Sequence, residues 1–251
     1  MILNDENYHK GAWEHNYLTE ARLGGEEPNR NRDLAEILSL LQMTGTSPGA
    51  SRLLDIGCGT GRNAVPLAQL GYLCTGIDSS EEALRRARGR ATGAGLAAEF
   101  TVGDCLGLRQ FFTQSSYDVV LDAYTFHVFV TDRDRQQHLH NVHWVLRPGG
   151  YVIVLGAHDE DAPQGHVESF DQFCRLCHVE PKGVPAGRFA GGKWETAEHE
   201  RFFLLARPQS MAGYCAEFAD AGFDVIHKEL FGEPGHAAFV LRKRNDEPSG
   251  K

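Results

Sequence analysis

Short apolar runs alternate along the chain with segments whose apolar residues recur every three or four positions. The runs read as buried strands and the periodic segments as helices. Leu34, Ile37, Leu38 and Leu41 predict a helix of roughly a dozen residues with one face on the sheet. Leu53-Leu54-Asp55-Ile56 reads as a strand that breaks into glycines at 57, 59 and 61, and the next helix runs from about Asn63 to Leu70 and stops at Gly71. Tyr72 to Ile77, Glu99 to Val102 and Tyr117 to Ala123 give three further strands. Between the first two of these a helix is expected from Glu81 to about Thr92, with Ser79-x-x-Glu82 as its capping box. Thr131-x-x-Asp134 caps a helix whose apolar face holds Leu139, Val142, Val145 and Leu146. Pro148-Gly149-Gly150 ends it, and Tyr151 to Leu155 is a fifth buried strand. Near the C-terminus come Ser210 as a cap, a helix carrying Tyr214, Phe218 and Ala221, a stop at Gly222, and an antiparallel hairpin of Phe223 to Leu230 and His236 to Leu241.

The three glycines after the first strand let the backbone turn sharply and approach a ligand, because no Cβ stands in the way. A dinucleotide fingerprint spaces its glycines as G-x-G-x-x-G and seats phosphate on a helix N-terminus. Here the run is Asp55-x-Gly57-x-Gly59-x-Gly61. A carboxylate at that mouth repels phosphate and suits a ligand bearing an ammonium group. Asp78, ending the second strand, stands where an acid meets a ribose diol. Gly103-Asp104-Cys105, after the third, offers a carboxylate and a backbone N–H to an adenine edge. Three strand ends together suit a nucleoside with a charged tail.

Asp55-Ile56-Gly57-Cys58-Gly59-Thr60-Gly61, Asp78, Gly103-Asp104 and the later Leu146-Arg147-Pro148-Gly149-Gly150 resemble, over roughly residues 50–157, the motif series of class I S-adenosylmethionine-dependent methyltransferases. The resemblance implies an α/β fold: a Rossmann-like, seven-stranded, mostly parallel sheet with a C-terminal antiparallel hairpin, helices on both faces and an inserted cover after strand 5. It implies S-adenosyl-L-methionine as cofactor and S-adenosyl-L-homocysteine as product. Carried onto this chain, the cofactor-binding residues are Asp55, Gly57, Cys58, Gly59, Gly61 and Asn63, then Asp78 and Ser79, then Gly103, Asp104 and Cys105, with Asp122 and Tyr17. In the family's strand order, Asp122-Ala123-Tyr124-Thr125-Phe126-His127 faces the sulfonium methyl. Tyr124 and His127 are the candidates for orienting or deprotonating an acceptor; both also read as packing at a helix end. Gly61-Arg62-Asn63-Ala64 and Trp13…Tyr17…Glu27-Pro28-Asn29-Arg30 are similar to small-molecule enzymes of the tellurite-resistance and thiopurine methyltransferase type. In such enzymes an N-terminal segment folds over the cofactor as a lid, while residues 1–28 read alone are also a frayed terminus with packed aromatics.

The organisation that follows has an N-terminal lid and helix (1–49), a cofactor-binding core (50–157), a substrate cover (158–207), a helix and hairpin completing the core (208–244) and a disordered tail (245–251). The cover is rich in His, Gly and Pro, with a short helix expected around Phe170 to Cys177 and a hairpin through Trp194 and Phe202-Phe203-Leu204-Leu205. An insertion at the C-terminal edge of a parallel sheet lies where ligands bind.

Composition narrows the setting. A chain of 251 residues fits one elaborated α/β domain. No apolar run approaches membrane-spanning length and Met1-Ile2-Leu3-Asn4-Asp5-Glu6-Asn7 lacks a signal-peptide pattern, so a cytoplasmic location with six reduced cysteines is expected. A net charge of −9 argues against nucleic acid. Arg85-Arg86-x-Arg88-x-Arg90 shares its helix with Glu81 and Glu82 and reads as a solvated face. The expected partner is a small-molecule acceptor, with no membrane, and the chain a monomer or homodimer.

No metal is expected. Ten of the twelve histidines lie from His127 onward, but of His138, His140 and His143 on one helix only the last two share a face, which reads as a solvated or capping surface. Cys174-Arg175-Leu176-Cys177-His178 has the spacing of a haem attachment, which requires export, and lacks the second ligand pair of a zinc site. It reads as two reduced cysteines packed in the cover, or, more sharply, as a site for a soft acceptor such as a metalloid.

Methyl transfer from a sulfonium is an in-line displacement in which alignment supplies up to ~7–11 kcal/mol, so a dedicated base is needed only for a protonated, poorly acidic acceptor. Asp122-Ala123-Tyr124-Thr125 lacks both prolines of the Asp/Asn-Pro-Pro-aromatic motif of adenine and glutamine methyltransferases. A nicotinamide oxidoreductase is disfavoured by Asp55 and the glycine spacing. A catalytically silent binder of S-adenosylmethionine and a macromolecule methyltransferase stay open as alternatives, and the acceptor atom, S, O, N or C, is not specified.

Overall fold

Leu53 and Leu54 point to opposite faces of one strand, Arg52–Ile56 (β1), and both are wholly buried. A strand buried on both faces needs a layer on each side, and the computed structural model supplies them. It describes residues 4–6, 8–10, 13–14, 17–18, 31–96, 98–162, 165–177, 187–190, 193–196, 206–231 and 235–245.

The helix Asn31–Met43 (α1) precedes β1. After it come Ala64–Gln69 (α2), Leu73–Asp78 (β2), Glu81–Gly93 (α3), Glu99–Val102 (β3), Tyr117–Ala123 (β4), Asp132–Val145 (α4) and Leu146–Ala157 (β5). Two 3-10 turns, Cys105–Gln110 and Phe126–Val128, follow β3 and β4. Phe170–Leu176 (α5) and a separate two-stranded ribbon, Gly187–Ala190 (β6) with Lys193–Thr196 (β7), precede Met211–Asp220 (α6), Phe223–Leu230 (β8) and His236–Lys243 (β9). The main sheet has seven strands in the order β3-β2-β1-β4-β5-β9-β8. The first five strands pair in parallel, while β9 runs antiparallel to both neighbours. This is the Rossmann-like architecture with a C-terminal antiparallel pair implied by the motif series.

Two apolar layers hold it. On one face Leu54, Ile56, Val120 and Val152 meet Leu139, Val142 and Val145 of α4 and Tyr214 and Phe218 of α6. On the other, Leu53, Val119, Leu121 and Ile153 meet Ile37, Leu40 and Leu41 of α1 and Ala64 and Leu67 of α2. Each large aliphatic side chain so buried contributes roughly 1.5–3 kcal/mol. No helix among the described residues is long and apolar enough to cross a membrane.

Several expectations need correction. Ser80, not Ser79, caps α3: its extended backbone aims Oγ at the Ala83 N–H, 3.1 Å away, which leaves Glu82 one position short of a capping box and free to pair with Arg85 and Arg86. Leu146 belongs to β5 and not to the preceding helix; its backbone turns extended and it pairs with Tyr117. The arginine stripe is not simply solvated, since Arg86, Arg88 and Arg90 reach the carbonyls of Tyr17, Phe100 and Thr60. His138, which the helical spacing set apart from His140 and His143, is buried. Of the hairpin expected through Trp194, β7 contains that residue but pairs with β6; Phe202 to Leu205 lie outside the described residues, as do 246–251 of the expected tail.

Candidate active site

The C-terminal ends of β1, β2, β3 and β4 converge on one hollow of about 570 Å³. In such sheets ligands bind where the strand order reverses, here between β1 and β4. The turn after β1 forms its floor. Gly57 and Gly59 have φ of +64° and +51°, and a Cβ would lie 2.1 Å from Thr125 Oγ1 on the former and 2.7 Å from Tyr17 Oη on the latter. Gly61, at φ +73°, is left-handed as well, and its Cβ would also press on Ala87 of α3, 3.2 Å away.

Asp78 closes β2 with both carboxylate oxygens engaged, Oδ2 accepting the Gly59 N–H and Oδ1 the Ser80 N–H, each at 2.8 Å. Asp55, Asp78 and Asp122 stand at the ends of three adjacent strands, and all are buried. Burial, with Asp78 and Asp122 adding to it against the Ala64 N–H, pushes the Asp55 carboxyl up to about 8. Its Oδ2 is buried without a hydrogen-bond partner among the described residues. Asp78 and Asp122 favour a cation in the hollow, and the charge of such a cation would help to ionise Asp55, which without it holds its proton at neutral pH.

Asp104 lies across from them. Its carboxylate is met at 3.1 Å by both His9 Nε2 and Lys10 Nζ and accepts the Leu106 N–H at 2.9 Å. Burial would raise this carboxyl, but the contacts from His9, Leu106 and Lys10 outweigh it and hold the group well below the usual carboxylate range. The N-terminal segment is fixed further at Tyr8, which donates to Asp134 Oδ2 at 2.8 Å and stacks on Phe170 at 5.0 Å. Tyr17, over Gly59, and Trp13, stacked on Tyr17 at 5.8 Å, also line the hollow.

The opposite wall comes from the segment after β4. Asp122 Oδ1 accepts the N–H groups of Thr125 and Phe126 at 3.0 and 2.8 Å, while Thr125 Oγ1 donates to the Ile56 carbonyl at 2.9 Å. Between them Tyr124 sits at φ +69°, a left-handed conformation unusual for a tyrosine, with its N–H on Leu155 O at 2.8 Å. Its ring lies 5.8 Å from that of His127 and 5.6 Å from that of His236, and its hydroxyl is 3.4 Å from Asp33 Oδ1. His127 Nδ1 accepts the Ala157 N–H at 2.8 Å. Burial first, then Arg135 and His236 against the opposing pull of Asp122, lowers its pKa to about 4, so the ring is neutral at physiological pH.

Of the expected residues, Tyr17, Gly57, Cys58, Gly59, Asn63, Asp78, Ser79, Asp104, Cys105, Tyr124 and His127 line the hollow. Asp55, Gly61, Gly103 and Asp122 lie behind it: Gly103 makes room for the Phe111 ring, and Asp122 caps the turn after β4 and faces His138. His9, Asp33, Thr125, Phe231 and His236 complete the wall without having been singled out as site residues. For His236 the register was the signal, since its pairing with Ala157 puts the start of β9 at the same edge as the end of β5.

Cys174 is buried in α5 with its thiol pushed up to about 12 by burial, and Cys177, raised for the same reason, closes that helix; His178 lies outside the described residues. No group of three or more His, Cys, Asp or Glu side chains able to hold a metal occurs among the described residues.

Residues 53–150 match a family model described as a methyltransferase domain. A Geobacillus protein named as a methyltransferase is 33% identical over 106 residues, 42% of this chain and 42% of the relative. Norajmaline N-methyltransferase of Rauvolfia serpentina is 29% identical over 167 residues, 64% of this chain and 55% of the relative. The chain thus spans about half the length of these curated relatives. A crystal structure described as a SAM-dependent methyltransferase from Methanosarcina mazei superposes with a TM-score of 0.62 at 23% identity, covering 81% of this chain and 97% of that one, a likeness of fold.

Proposed function

We propose, from the match of residues 53–150 to a methyltransferase domain and the likeness of fold to a SAM-dependent methyltransferase, that the protein transfers a methyl group from S-adenosyl-L-methionine to a small-molecule acceptor. The hollow fits that cofactor on three counts: a floor that tolerates no Cβ, a strand-end carboxylate at Asp78, and two further buried strand-end acids, Asp55 and Asp122, behind it. When bound, S-adenosylmethionine supplies an electrophilic methyl on a sulfonium.

The chain's own residues then have separable tasks. Gly57 and Gly59 let the ligand's tail approach the backbone, Asp78 with Ser79 takes the ribose hydroxyls, and Asp104 with the Cys105 N–H takes the adenine end. Asn63 and Cys58 flank the tail, and Tyr17 covers it. Tyr124 and His127 face the acceptor. The segment bearing His9, Trp13 and Tyr17 acts as the lid that excludes water and favours alignment of the reactants.

What carries this proposal is the pairing of a glycine floor with strand-end acids, Asp78 on the wall and Asp122 and the ionisable Asp55 behind it, an arrangement suited to a cationic nucleoside and hostile to a diphosphate. The covered hollow, about 570 Å³, supports a small acceptor over a macromolecule, as does the name of the Rauvolfia relative. Calorimetry with S-adenosylmethionine and S-adenosylhomocysteine, followed by transfer of labelled methyl to phenols, thiols, amines and carboxylates, tests it. Binding of both with transfer to at least one class is expected. No binding sinks the proposal, and binding without transfer to any class leaves the catalytically silent binder.

A further inference from the structure

His127 stands where a general base would be sought, beside Tyr124 on the wall built from the ends of β4, β5 and β9. Its geometry argues otherwise. A neutral imidazole has one lone pair for a proton or a donor, and here Nδ1 spends it on the Ala157 N–H at 2.8 Å. The ring proton is therefore on Nε2, since the ring's hydrogen bond among the described residues is the one at Nδ1. A ring so fixed donates; to accept a proton it must first break a buried backbone hydrogen bond.

The groups around the ring reinforce this. Behind it Arg135, itself buried, lies 3.9 Å from the Phe126 ring centroid and donates to the Phe126 and Phe129 carbonyls and to Glu217. Tyr214 of α6 gives its hydroxyl to Ala157 O at 2.7 Å, and from β9 comes His236. Asp122 is the acid on this side, but its oxygens serve the turn and His138. Asp33, the carboxylate on the acceptor wall, faces the Tyr124 hydroxyl. Four rings, of Tyr124, Phe129, Phe231 and His236, line the hollow beside Ala123, Thr125 and Val128.

Resting on the methyltransferase function proposed above, we infer that the acceptor is an aromatic phenol or thiol that binds as its anion, and that His127 holds the anionic atom by a hydrogen bond from Nε2–H instead of deprotonating it. The acceptor's proton goes to bulk water on binding. The lone pair of the phenolate or thiolate then becomes the new bond to the methyl carbon, and the pair of the broken carbon–sulfur bond stays on the departing thioether, so no protein group gains a proton in the transfer. A donor aimed at the anion lowers the bound acceptor's pKa, which selects acidic O–H and S–H groups over amines.

Two measurements test this. Nitrogen-15 NMR of the imidazoles in the full-length protein, with His127→Asn to assign the signals, is expected to show His127 as the Nε2–H tautomer without protonation from pH 5 to 8. An Nδ1–H tautomer, or a protonation midpoint in that range, overturns the inference whether or not any cofactor binds. In the second, a nitrophenol is titrated by absorbance in the presence of S-adenosylhomocysteine. The phenolate band is expected at a pH about one unit below its midpoint in solution, returning to the solution value in His127→Asn, with His140→Asn, on the exposed side of α4, leaving the shift in place. No phenolate uptake, an unshifted midpoint, or methylation confined to amines overturns it. Failure to bind S-adenosylhomocysteine in calorimetry sinks the methyltransferase proposal instead and leaves the tautomer result standing.

Discussion

His138 Nε2 lies 2.7 Å from Asp122 Oδ2, with both side chains almost wholly buried, and this pair fastens α4 to the turn that carries Tyr124 and His127. The other oxygen of Asp122 caps that turn through the Thr125 and Phe126 N–H groups. One carboxylate thereby fixes the left-handed Tyr124 and the wall of the hollow together. Removing it leaves two backbone donors and an imidazole unsatisfied in the interior. Asp122→Ala is expected to cost about 2–4 kcal/mol in urea unfolding, and Asp122→Asn less, because one amide oxygen can still cap the turn. A loss below about 0.5 kcal/mol in Asp122→Ala would show that the turn is held by other contacts.

Asp55 gives stability a distinctive pH dependence. Its folded pKa of about 8 exceeds the ordinary 3.8, so between these values the folded protein holds a proton that the unfolded chain has lost. Stability from this group is therefore full below about pH 4, falls as pH rises towards 8, and is flat beyond. Asp55→Asn is expected to be more stable than the wild type by about 1–3 kcal/mol at pH 8, a figure kept modest because part of the Asp55 shift comes from the nearby charges of other groups, with the gap closing towards pH 4. Urea unfolding at both ends of the range decides it; a constant gap would rule out titration of Asp55.

Tyr17 and Gly59 are coupled by space, since a Cβ on Gly59 would reach the tyrosine hydroxyl at 2.7 Å. Gly59→Ala is expected to weaken S-adenosylhomocysteine at least about tenfold, roughly 1.4 kcal/mol. In a Tyr17→Ala background the same change costs less affinity, because the clash is gone, while the left-handed backbone penalty of about 1–2 kcal/mol falls on folding stability in either background. Calorimetry on the four proteins closes the cycle, and strict additivity would mean that Tyr17 does not lie over the turn in solution.

His9 and Lys10 tie the N-terminal segment to Asp104. Replacing both by alanine is expected to speed S-adenosylhomocysteine release about tenfold in stopped flow with little change in global stability, as the Lys10 contact is half exposed and screened. The Asp104 carboxyl is depressed, so this latch is complete above about pH 4 and loosens as pH falls further. Equal release rates in the two proteins would separate the latch from ligand retention.

The core of this arrangement was legible because it is local. Glycines at alternate positions after an apolar strand, an acid at the end of β2 and the caps Thr131 and Ser210 each declare themselves within a few residues. Ser79 and Ser80 could not be told apart, since both can cap and only the backbone angle at Ser80 decides. Helix α4 hid its role for a different reason: Asp134, Arg135, His138 and Asn141 share its buried side with Leu139 and Val142, so apolar periodicity understates what faces inward. His9, Asp33 and His236 reach the hollow through contacts between segments far apart in sequence, for which no spacing rule exists. Asp122 sits at the expected strand end, but the direction of its carboxylate depended on a histidine sixteen residues later.

The position of β9 between β5 and β8 bears on how the chain is made as well as how it is built. As the polypeptide leaves the ribosome, β5 presents a bare edge until residues 236–243 emerge, and β8 arrives before the strand that is to join it to the sheet. Nascent chains stalled ahead of that segment carry an open, adhesive ladder and lack the residues that finish the acceptor wall. Chaperone capture during synthesis should therefore peak over this interval and fall once β9 is released.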